Sequence, residues 1–534
     1  MTKVLIMGGG LAGLAAGWTL LECSNGALEV TLLERGHLLG GKASSKALRE
    51  GDRSYEIEHG LHAFFDYPNF RRLLGDAAPE ALTRIKKNTS GAAFPDGRGL
   101  SWLRPVNLPS PLHLIGGRKA ASKANPFRLA RLALAGIMLR PECLSPSERR
   151  RLDETKYDAF VERLGFSKLD LADPLFTMGE RATFAFPYPA SALAMLHALR
   201  LTQQRCESQQ VGHLDGPIGE VLITPLARAF KERGGKILPF SPVSGLEHEG
   251  GRVTGVRVGP RPAWPHGAEA KQRPEVPIRL SPYHSPDPAP GPGAGSRVEA
   301  DVYISALPPR ALDKVLDEGL RSTPFFAALG KLITQRTIAC QIYYDRIVTP
   351  PSVEGMVIGL PGRFSALLDR ARVWKAPDGP GSVLELVGEE KPGDFSDPQQ
   401  IEEAVQEAEK YIQEMFPEAL PERVQRRWFH CTNHDEYFVT ATGSDAQRPP
   451  AVTPLGNFLL AGDYTAHSFG VVGMEGAVVS GIEAANAALR RLGLPQREVR
   501  PMSEPGGFIP ALRALLKMTG LFRFMVGYDE MIGC

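Results

Sequence analysis

Residues 8–13 read Gly8-Gly9-Gly10-Leu11-Ala12-Gly13, and their flanks narrow the fold more than any other stretch of the chain. Val4 to Met7 is a short apolar run of strand length, and Leu11 to Leu21 has the apolar density of a packed helix. Leu28 to Leu33 is a second apolar, β-branched run, closed by Glu34. Strand, glycine turn, helix and strand make a βαβ unit. In such a unit Gly8 allows the tight turn, Gly10 lets the backbone approach a pyrophosphate, and Gly13 lets the helix pack close to the sheet. With Ala12 in the first helical turn, these are the candidate contacts to phosphates, which unpaired N–H groups at a helix N-terminus attract. Glu34 follows Gly13 by about 20 residues, the spacing at which a carboxylate accepts hydrogen bonds from a ribose.

Three further motifs extend this site. Glu34-Arg35 is followed by Gly40-Gly41-Lys42. Those glycines let backbone pass near a pyrophosphate or a ring, and Arg35 or Lys42 can balance phosphate charge. Glu58-His59-Gly60-Leu61-His62-Ala63-Phe64-Phe65 places a glycine between two histidines, which suits backbone pressed against a flat ring. One imidazole is expected to hydrogen-bond locally; with no second ligand cluster, no metal is expected. Leu460-Ala461-Gly462-Asp463-Tyr464, then Gly473-Met474-Glu475-Gly476-Ala477, reads as a strand ending in Gly-Asp and a helix beginning near Gly473. Asp463 can meet ribityl hydroxyls, and the helix N-terminus can stabilise an anionic reduced flavin. The four motifs together point to FAD.

Elsewhere, Ile218 to Arg233 reads as a helix stopped by Gly234-Gly235. Lys236 to Leu238, Ser241 to Leu246, Arg252 to Val258, Asp301 to Ser305 and Phe458 to Ala461 read as strands. Ile401 to Met415 and Gly476 to Leu489 read as helices. Residues 259–296 are dense in proline and glycine without a period, and are expected to be a long mobile insertion between two strands. The expected organisation is interleaved. Residues 1–84, 206–310 and 455–495 form an FAD-binding domain, 85–205 a helical cap, 311–454 a substrate domain, and 496–534 an amphipathic tail.

These residues resemble the FAD-dependent amine oxidase superfamily, and within it the carotenoid (phytoene and zeta-carotene) desaturases of plant and cyanobacterial type. Residues 55–69, YEIEHGLHAFFDYPN, are similar to the "ETGLHIFFGAYPN" stretch of those enzymes. Leu214-Asp215-Gly216 on to Gly234-Gly235 resembles their "LDG…P…GG" segment, and residues 300–308 their "ADAYVSA.P". Residues 457–488 resemble their C-terminal flavin motif. The resemblance implies an α/β fold: a Rossmann-like FAD-binding domain of amine-oxidase type interleaved with an α+β substrate domain. It implies adenosine contacts from Gly8, Gly10, Gly13, Glu34, Arg35 and the backbone of Val243. It implies flavin contacts from Gly41, Lys42, Gly60, Leu61, His62, Gly462, Asp463, Gly473 and Met474. The implied activity is desaturation of a lipophilic isoprenoid by hydride transfer to flavin N5. Hydroxysqualene dehydroxylases, carotene isomerases and amine oxidases share the motifs and stand as alternatives. Ala466-His467-Ser468 lacks the usual aromatic pattern of an amine oxidase. Rab GDP dissociation inhibitors share the fold without flavin, but the intact Glu34, Gly40-Gly41-Lys42 and Gly462-Asp463 set argues against that reading. Two departures stand out: Asp66 replaces a glycine, and Pro242 stands where those enzymes carry an arginine linked to a quinone site. Quinone and O2 both remain open as acceptors. No catalytic residue is assigned; Asp66, Asp215 and His434-Asp435-Glu436 are candidates for a base.

A net charge of +2 gives no reason to expect nucleic acid. The six cysteines show neither CxxC nor zinc spacing, which fits a reducing cytoplasm. Only Met1-Thr2-Lys3 precedes the first apolar run, so no signal peptide is expected, and no stretch has the length of a membrane span. Phe127 to Leu139 and Phe508 to Val526 combine apolar runs with Arg128, Arg131, Arg140, Arg513, Lys517 and Arg523. Both could lie on a bilayer surface as interfacial helices. The alternative is a helix packed on the protein, with its cations snorkelling at the edge.

Overall fold

The computed structural model describes residues 1–50, 53–88, 92–95, 100–103, 107–108, 132, 135, 140–141, 144–167, 185, 187–203, 208, 210–260, 278–280, 295–375, 379–390, 395, 397–431, 437–502 and 509–519. The βαβ unit is present: β1 (Thr2–Met7), α1 (Leu11–Ser24) and β2 (Leu28–Leu33). Helix α1 is almost wholly buried, which explains why its sequence is apolar all round rather than striped. The two strands sit at the centre of a five-stranded parallel sheet, ordered Phe458–Leu460, Val302–Ser305, β1, β2, Lys236–Leu238. Parallel strands need crossovers, so this sheet is assembled from pieces far apart in the chain. The helix Met474–Arg491 packs against α1 at close range: a Cβ on Gly481 would lie 2.3 Å from the Ala12 carbonyl oxygen.

A three-stranded antiparallel sheet of Val243–Glu249, Arg252–Val258 and Arg297–Val298 lies beside it. The expected insertion does link its second and third strands. Ile278–Leu280, however, forms a strand, paired in parallel with Val424–Cys431. That pairing corrects the expectation of a structureless segment; 261–277 and 281–294 lie outside the described residues. The expected helix over 218–233 divides into a π-helical turn, Gly219–Ile223, and a helix, Thr224–Glu232, with Pro225 in its first turn. A proline lacks the N–H that would continue the helical ladder from the preceding turn.

The largest sheet has eight strands: Ile278–Leu280, Val424–Cys431, Thr337–Tyr344, Val383–Glu389, Phe364–Asp369, Val357–Ile358, Ala92–Pro95 and Leu100–Leu103. One face carries Ile338, Cys340, Ile342, Leu384, Leu386 and Phe429, covered by the helix Pro398–Met415 through Ile401, Ala404, Val405, Ala408 and Ile412. Those five fall at i, i+3, i+4, i+7 and i+11, one face of a helix, and Asp397 caps the helix through the Gln399 N–H. Burying each larger aliphatic there contributes about 1.5–3 kcal/mol. The opposite face, with Tyr343, Val383, Trp428, Ile358 and Leu368, turns towards the hairpin Ser45–Glu50/Arg53–Glu58 and the segment that follows it.

Candidate active site

The glycine turn is held by backbone contacts that leave no room for side chains at two of its positions. Gly8 has φ 106°, donates its N–H to the Leu33 carbonyl at 2.8 Å, and would place a Cβ 2.8 Å from the Ala306 carbonyl oxygen. A Cβ on Gly13 would lie 2.0 Å from the Gly8 carbonyl oxygen, which is the close helix–sheet approach the spacing implied. Gly10 differs. Its φ is −72°, and a Cβ there would meet nothing nearer than the Gly40 oxygen at 3.8 Å. It is the N-cap of α1 and offers no side chain to the first N–H groups, with Ala12 buried just behind it.

The second glycine pair is zipped to the first: the Gly40 N–H donates to the Gly9 carbonyl at 2.8 Å. Gly40 (φ 99°) and Gly41 (φ 61°) turn the chain there. Glu34 joins the two loops, its carboxylate accepting from the Gly9 N–H at 2.9 Å and the Gly36 N–H at 3.0 Å. Arg35, half-buried, follows it at the end of β2. Lys42 reaches the other way. Its Nζ lies 3.7 Å from Asp463 Oδ2 and 5.3 Å from the ring centroid of Tyr437. Lys42 and Asp463 are 421 positions apart in the chain, and Tyr437 carried no signal that could have placed it with them.

The hairpin delivers Gly60-Leu61-His62 to the same place. The His62 Nε2 sits 3.1 Å from the Lys42 carbonyl oxygen, and its Nδ1 3.7 Å from Glu58 Oε2. Burial pushes the imidazole down to about 4, so His62 is neutral at physiological pH. His59 instead meets the ring of His430, centroids 5.0 Å apart. The two histidines thus serve different neighbours. A Cβ on Gly60 would meet only Val387 Cγ2 at 3.6 Å. Leu61 and Ala63 pack on an apolar cluster of Met356, Ile358, Leu368, Val373 and Trp374 from the large sheet and the turn after it.

From the C-terminal side, Gly462 (φ 142°) turns the chain after the strand Phe458–Leu460, and its Cβ position is filled by the Tyr464 ring at 2.5 Å. The Tyr464 hydroxyl is buried with no hydrogen-bond partner among the described residues. Gly473 (φ 124°) is the N-cap of Met474–Arg491, again without a side-chain cap, and a Cβ there would meet open space. Two residues that sequence reasoning missed shape this end. Arg448, buried, donates to the carbonyls of Asp463 (2.8 Å), Thr465 (3.0 Å) and Gly470 (3.3 Å), clamping the loop. Glu475 accepts from the Asn69 and Phe70 N–H groups and the Asn69 amide, each at 2.8–2.9 Å, and so caps the helix Pro68–Ala77. Glu475 lies inside a quoted motif, but nothing local reveals a partner some 400 residues away; Arg448 had no signal at all.

Other candidates fall elsewhere. Val243 opens the strand Val243–Glu249, just after Ser241, whose N–H donates to the Glu34 carbonyl at 2.7 Å. Pro242 lies between them, and its carbonyl accepts the Gly259 N–H at 2.7 Å. Asp215 sits among Arg84, Lys86 and Lys375, the last two at 3.6 and 3.4 Å. Burial raises its pKa, but the hydrogen bonds and charges of Arg84 and Lys375 outweigh that and hold it low. A carboxylate so engaged is a structural anchor rather than a base. Asp66 approaches Ser208 Oγ at 3.5 Å. His434-Asp435-Glu436 lies outside the described residues. Among the described residues no group of three or more His, Cys, Asp or Glu is placed to hold a metal.

The family model described as flavin containing amine oxidoreductase matches residues 11–489. The 15-cis-phytoene desaturase of Synechococcus elongatus is 25% identical over 496 residues, covering 92% of this chain and 96% of its own. The zeta-carotene desaturase of Synechocystis is 26% identical over 524 residues, covering 91% and 97%. Among solved structures, the cyclohexylamine oxidase of Brevibacterium oxydans superimposes with TM-score 0.57 at 16% identity, covering 92% of this chain and 99% of that one. A redesigned putrescine oxidase gives 0.59 at 15%, with the same coverage. The chain belongs to the flavin containing amine oxidoreductase family, and it is an FAD-dependent oxidoreductase.

Proposed function

We propose that this enzyme desaturates a lipophilic isoprenoid of the carotenoid class, with FAD held between the two glycine loops and the start of Met474–Arg491. The residues present fit that group. Gly10 and Gly60 are glycines that contacts within the protein do not require: a Cβ at either would make only ordinary van der Waals contact, at 3.8 and 3.6 Å. Gly10 and Gly473 are helix N-caps without side-chain caps. The residue after Asp463, Tyr464, has a buried hydroxyl without a hydrogen-bond partner among the described residues. On this reading Gly8, Gly10, Ala12, Gly13, Glu34, Arg35 and Val243 hold the adenosine diphosphate half. Gly41, Lys42, Gly60, Leu61, His62, Gly462, Asp463, Gly473 and Met474 hold the flavin half. The Glu34 carboxylate is oriented by the Gly9 and Gly36 N–H groups and would accept from a ribose there. Lys42 and Asp463 compensate each other, so the site gains no net charge from the pair.

When bound, FAD supplies the hydride acceptor. The protein's part is to hold a substrate carbon against the flavin and to exclude water. The observation that carries the substrate class is the apolar cluster Met356, Ile358, Leu368, Val373 and Trp374 facing Leu61 and Ala63. A polyene needs such a wall, whereas an amine substrate needs groups that recognise a cation. The two desaturase relatives, aligned over nearly their whole length, support the same class. Contact with a membrane surface, from which such a substrate would be drawn, belongs to this reading.

Absorption spectra test it. The purified protein should show two visible flavin bands, and anaerobic addition of a carotenoid precursor should bleach them. Bleaching by a primary amine, with polyenes inert, would place the enzyme with the amine oxidases instead. A squalene alcohol that alone bleached it would support dehydroxylation.

A further inference from the structure

Arg370 has no solvent exposure, and every edge of its guanidinium is used. Nε donates to Glu385 Oε2 at 3.0 Å and Nη1 to the Glu56 carbonyl at 2.6 Å. Nη2 donates to the side-chain oxygen of Gln341 at 3.0 Å, with that amide oriented by its partners; the same oxygen accepts the Glu58 N–H at 3.0 Å. The guanidinium also lies 4.4 Å from the centroid of Trp374.

These contacts lead in two directions. Trp374 belongs to the apolar cluster that faces Leu61 and Ala63. Glu56 and Glu58 end the strand that runs straight into Gly60-Leu61-His62. Glu58 Oε1 accepts from the Ile218 N–H at 3.0 Å, and Oε2 faces His62 Nδ1 at 3.7 Å. The Lys42 carbonyl can only accept, so His62 Nε2 carries the proton and Nδ1 presents a lone pair. Glu58 meets that lone pair favourably as the neutral acid, the form favoured by its burial and by the nearby Glu385 charge. One chain of contacts therefore runs from the sheet through Gln341, Glu58 and His62 to the Lys42 loop.

A buried ion pair is weak evidence of a stabilising role. Apolar side chains of similar volume commonly replace a buried ion pair at no loss, or at a gain. We propose that Arg370 is a positioning residue: it fixes the apolar wall around Trp374 in register with the segment Glu58–His62, and so sets substrate and cofactor relative to each other. This rests on the FAD site proposed above.

The test uses the FAD-loaded enzyme and measures the visible circular dichroism and midpoint potential of the bound flavin, the melting temperature, and the rate of anaerobic reduction. Arg370→Met/Glu385→Gln removes both charges together and leaves no unpaired ion. It should keep FAD, alter the dichroism and potential, and slow reduction by about 10- to 100-fold, the scale of a small misplacement. R370K should not restore the native spectrum, because an ammonium cannot bridge three acceptors in one plane. Should the double variant fail to fold, Gln341→Met decides: it cuts the link to Glu58 and spares the ion pair, and the same spectral change is expected. FAD-loaded variants with native dichroism, potential and reduction rate would overturn the proposal and leave the FAD site standing. Wild-type protein that binds no FAD would overturn both.

Discussion

At the residue scale, the glycines separate into those the backbone needs and those it does not. Gly13 is needed: its Cβ would overlap the Gly8 oxygen at 2.0 Å. Gly13→Ala should therefore cost at least ~3 kcal/mol, beyond ordinary overpacking, because backbone rather than a side chain must move. Gly10 is not needed, having φ −72° and only ordinary van der Waals contacts, from 3.8 Å, at its Cβ. Gly10→Ala should cost about 1 kcal/mol or less, the difference between glycine and alanine at an N-cap. If a pyrophosphate passes there, the same substitution should weaken FAD binding by roughly tenfold or more, since 1.4 kcal/mol of lost contact suffices. Chemical denaturation of the apoprotein and FAD titration separate the two effects. A Gly10→Ala protein with undiminished FAD affinity would remove the pyrophosphate from that helix end.

At the scale of elements, Glu475 ties one helix to another. It sits in the first turn of Met474–Arg491 and caps Pro68–Ala77, whose N-cap Tyr67 supplies no side-chain bond. Glu475→Ala should cost about 2 kcal/mol by orphaning buried donors. Burial outweighs those hydrogen bonds and raises its pKa to about 7 from 4.5. The folded protein then binds this proton more tightly than the unfolded chain. The group's stabilisation is thus complete below pH 4.5 and is lost as pH rises through about 7. The difference in unfolding free energy between wild type and Glu475→Gln should fall across that window by up to about 3 kcal/mol, at 1.36 kcal/mol per unit. Urea melts from pH 4.5 to 8 would check it; a difference independent of pH would show that the carboxylate stays ionised. Local elements such as β1, α1 and β2 could be read from the sequence because their burial pattern and glycine spacing are short-range. The large sheet could not. Val383–Glu389 is buried along its whole length, so it shows no alternation, and Glu385 and Glu389 make it look like surface. Arg370, paired with Glu385 from another strand's end, explains a charge in that position. Likewise the glycine loops were legible, but Arg448 and Tyr437 joined the site through tertiary contacts with no local signature.

At the scale of the whole molecule, the helix Ile509–Thr519 lies between two surroundings. Ile509 and Leu516 are buried in the helical core with Phe160, Leu196 and Val439, and Arg513 is buried as well. Of the two alternatives for this segment, the burial of these three side chains fits a helix packed on the protein along that face. Leu515 and Met518 face out, 52% and 78% exposed, and Ala511 and Ala514 share that side. The helix is thus apolar on both faces, and only one is covered by described residues. Among those residues no helix is long and apolar enough to cross a membrane; an apolar outer face of this kind can lie in an interface. These two exposed large side chains could contribute about 2–3 kcal/mol on entering an apolar layer. Leu515→Ser/Met518→Ser should then reduce cosedimentation with phosphatidylglycerol vesicles by roughly 30-fold, while unfolding free energy stays within ~0.5 kcal/mol. Leu516→Ala should do the reverse, costing 2–5 kcal/mol of stability through the cavity it leaves. If the double serine variant binds vesicles as the wild type does, this helix is a strut of the helical core and the lipophilic substrate reaches the apolar wall by another face.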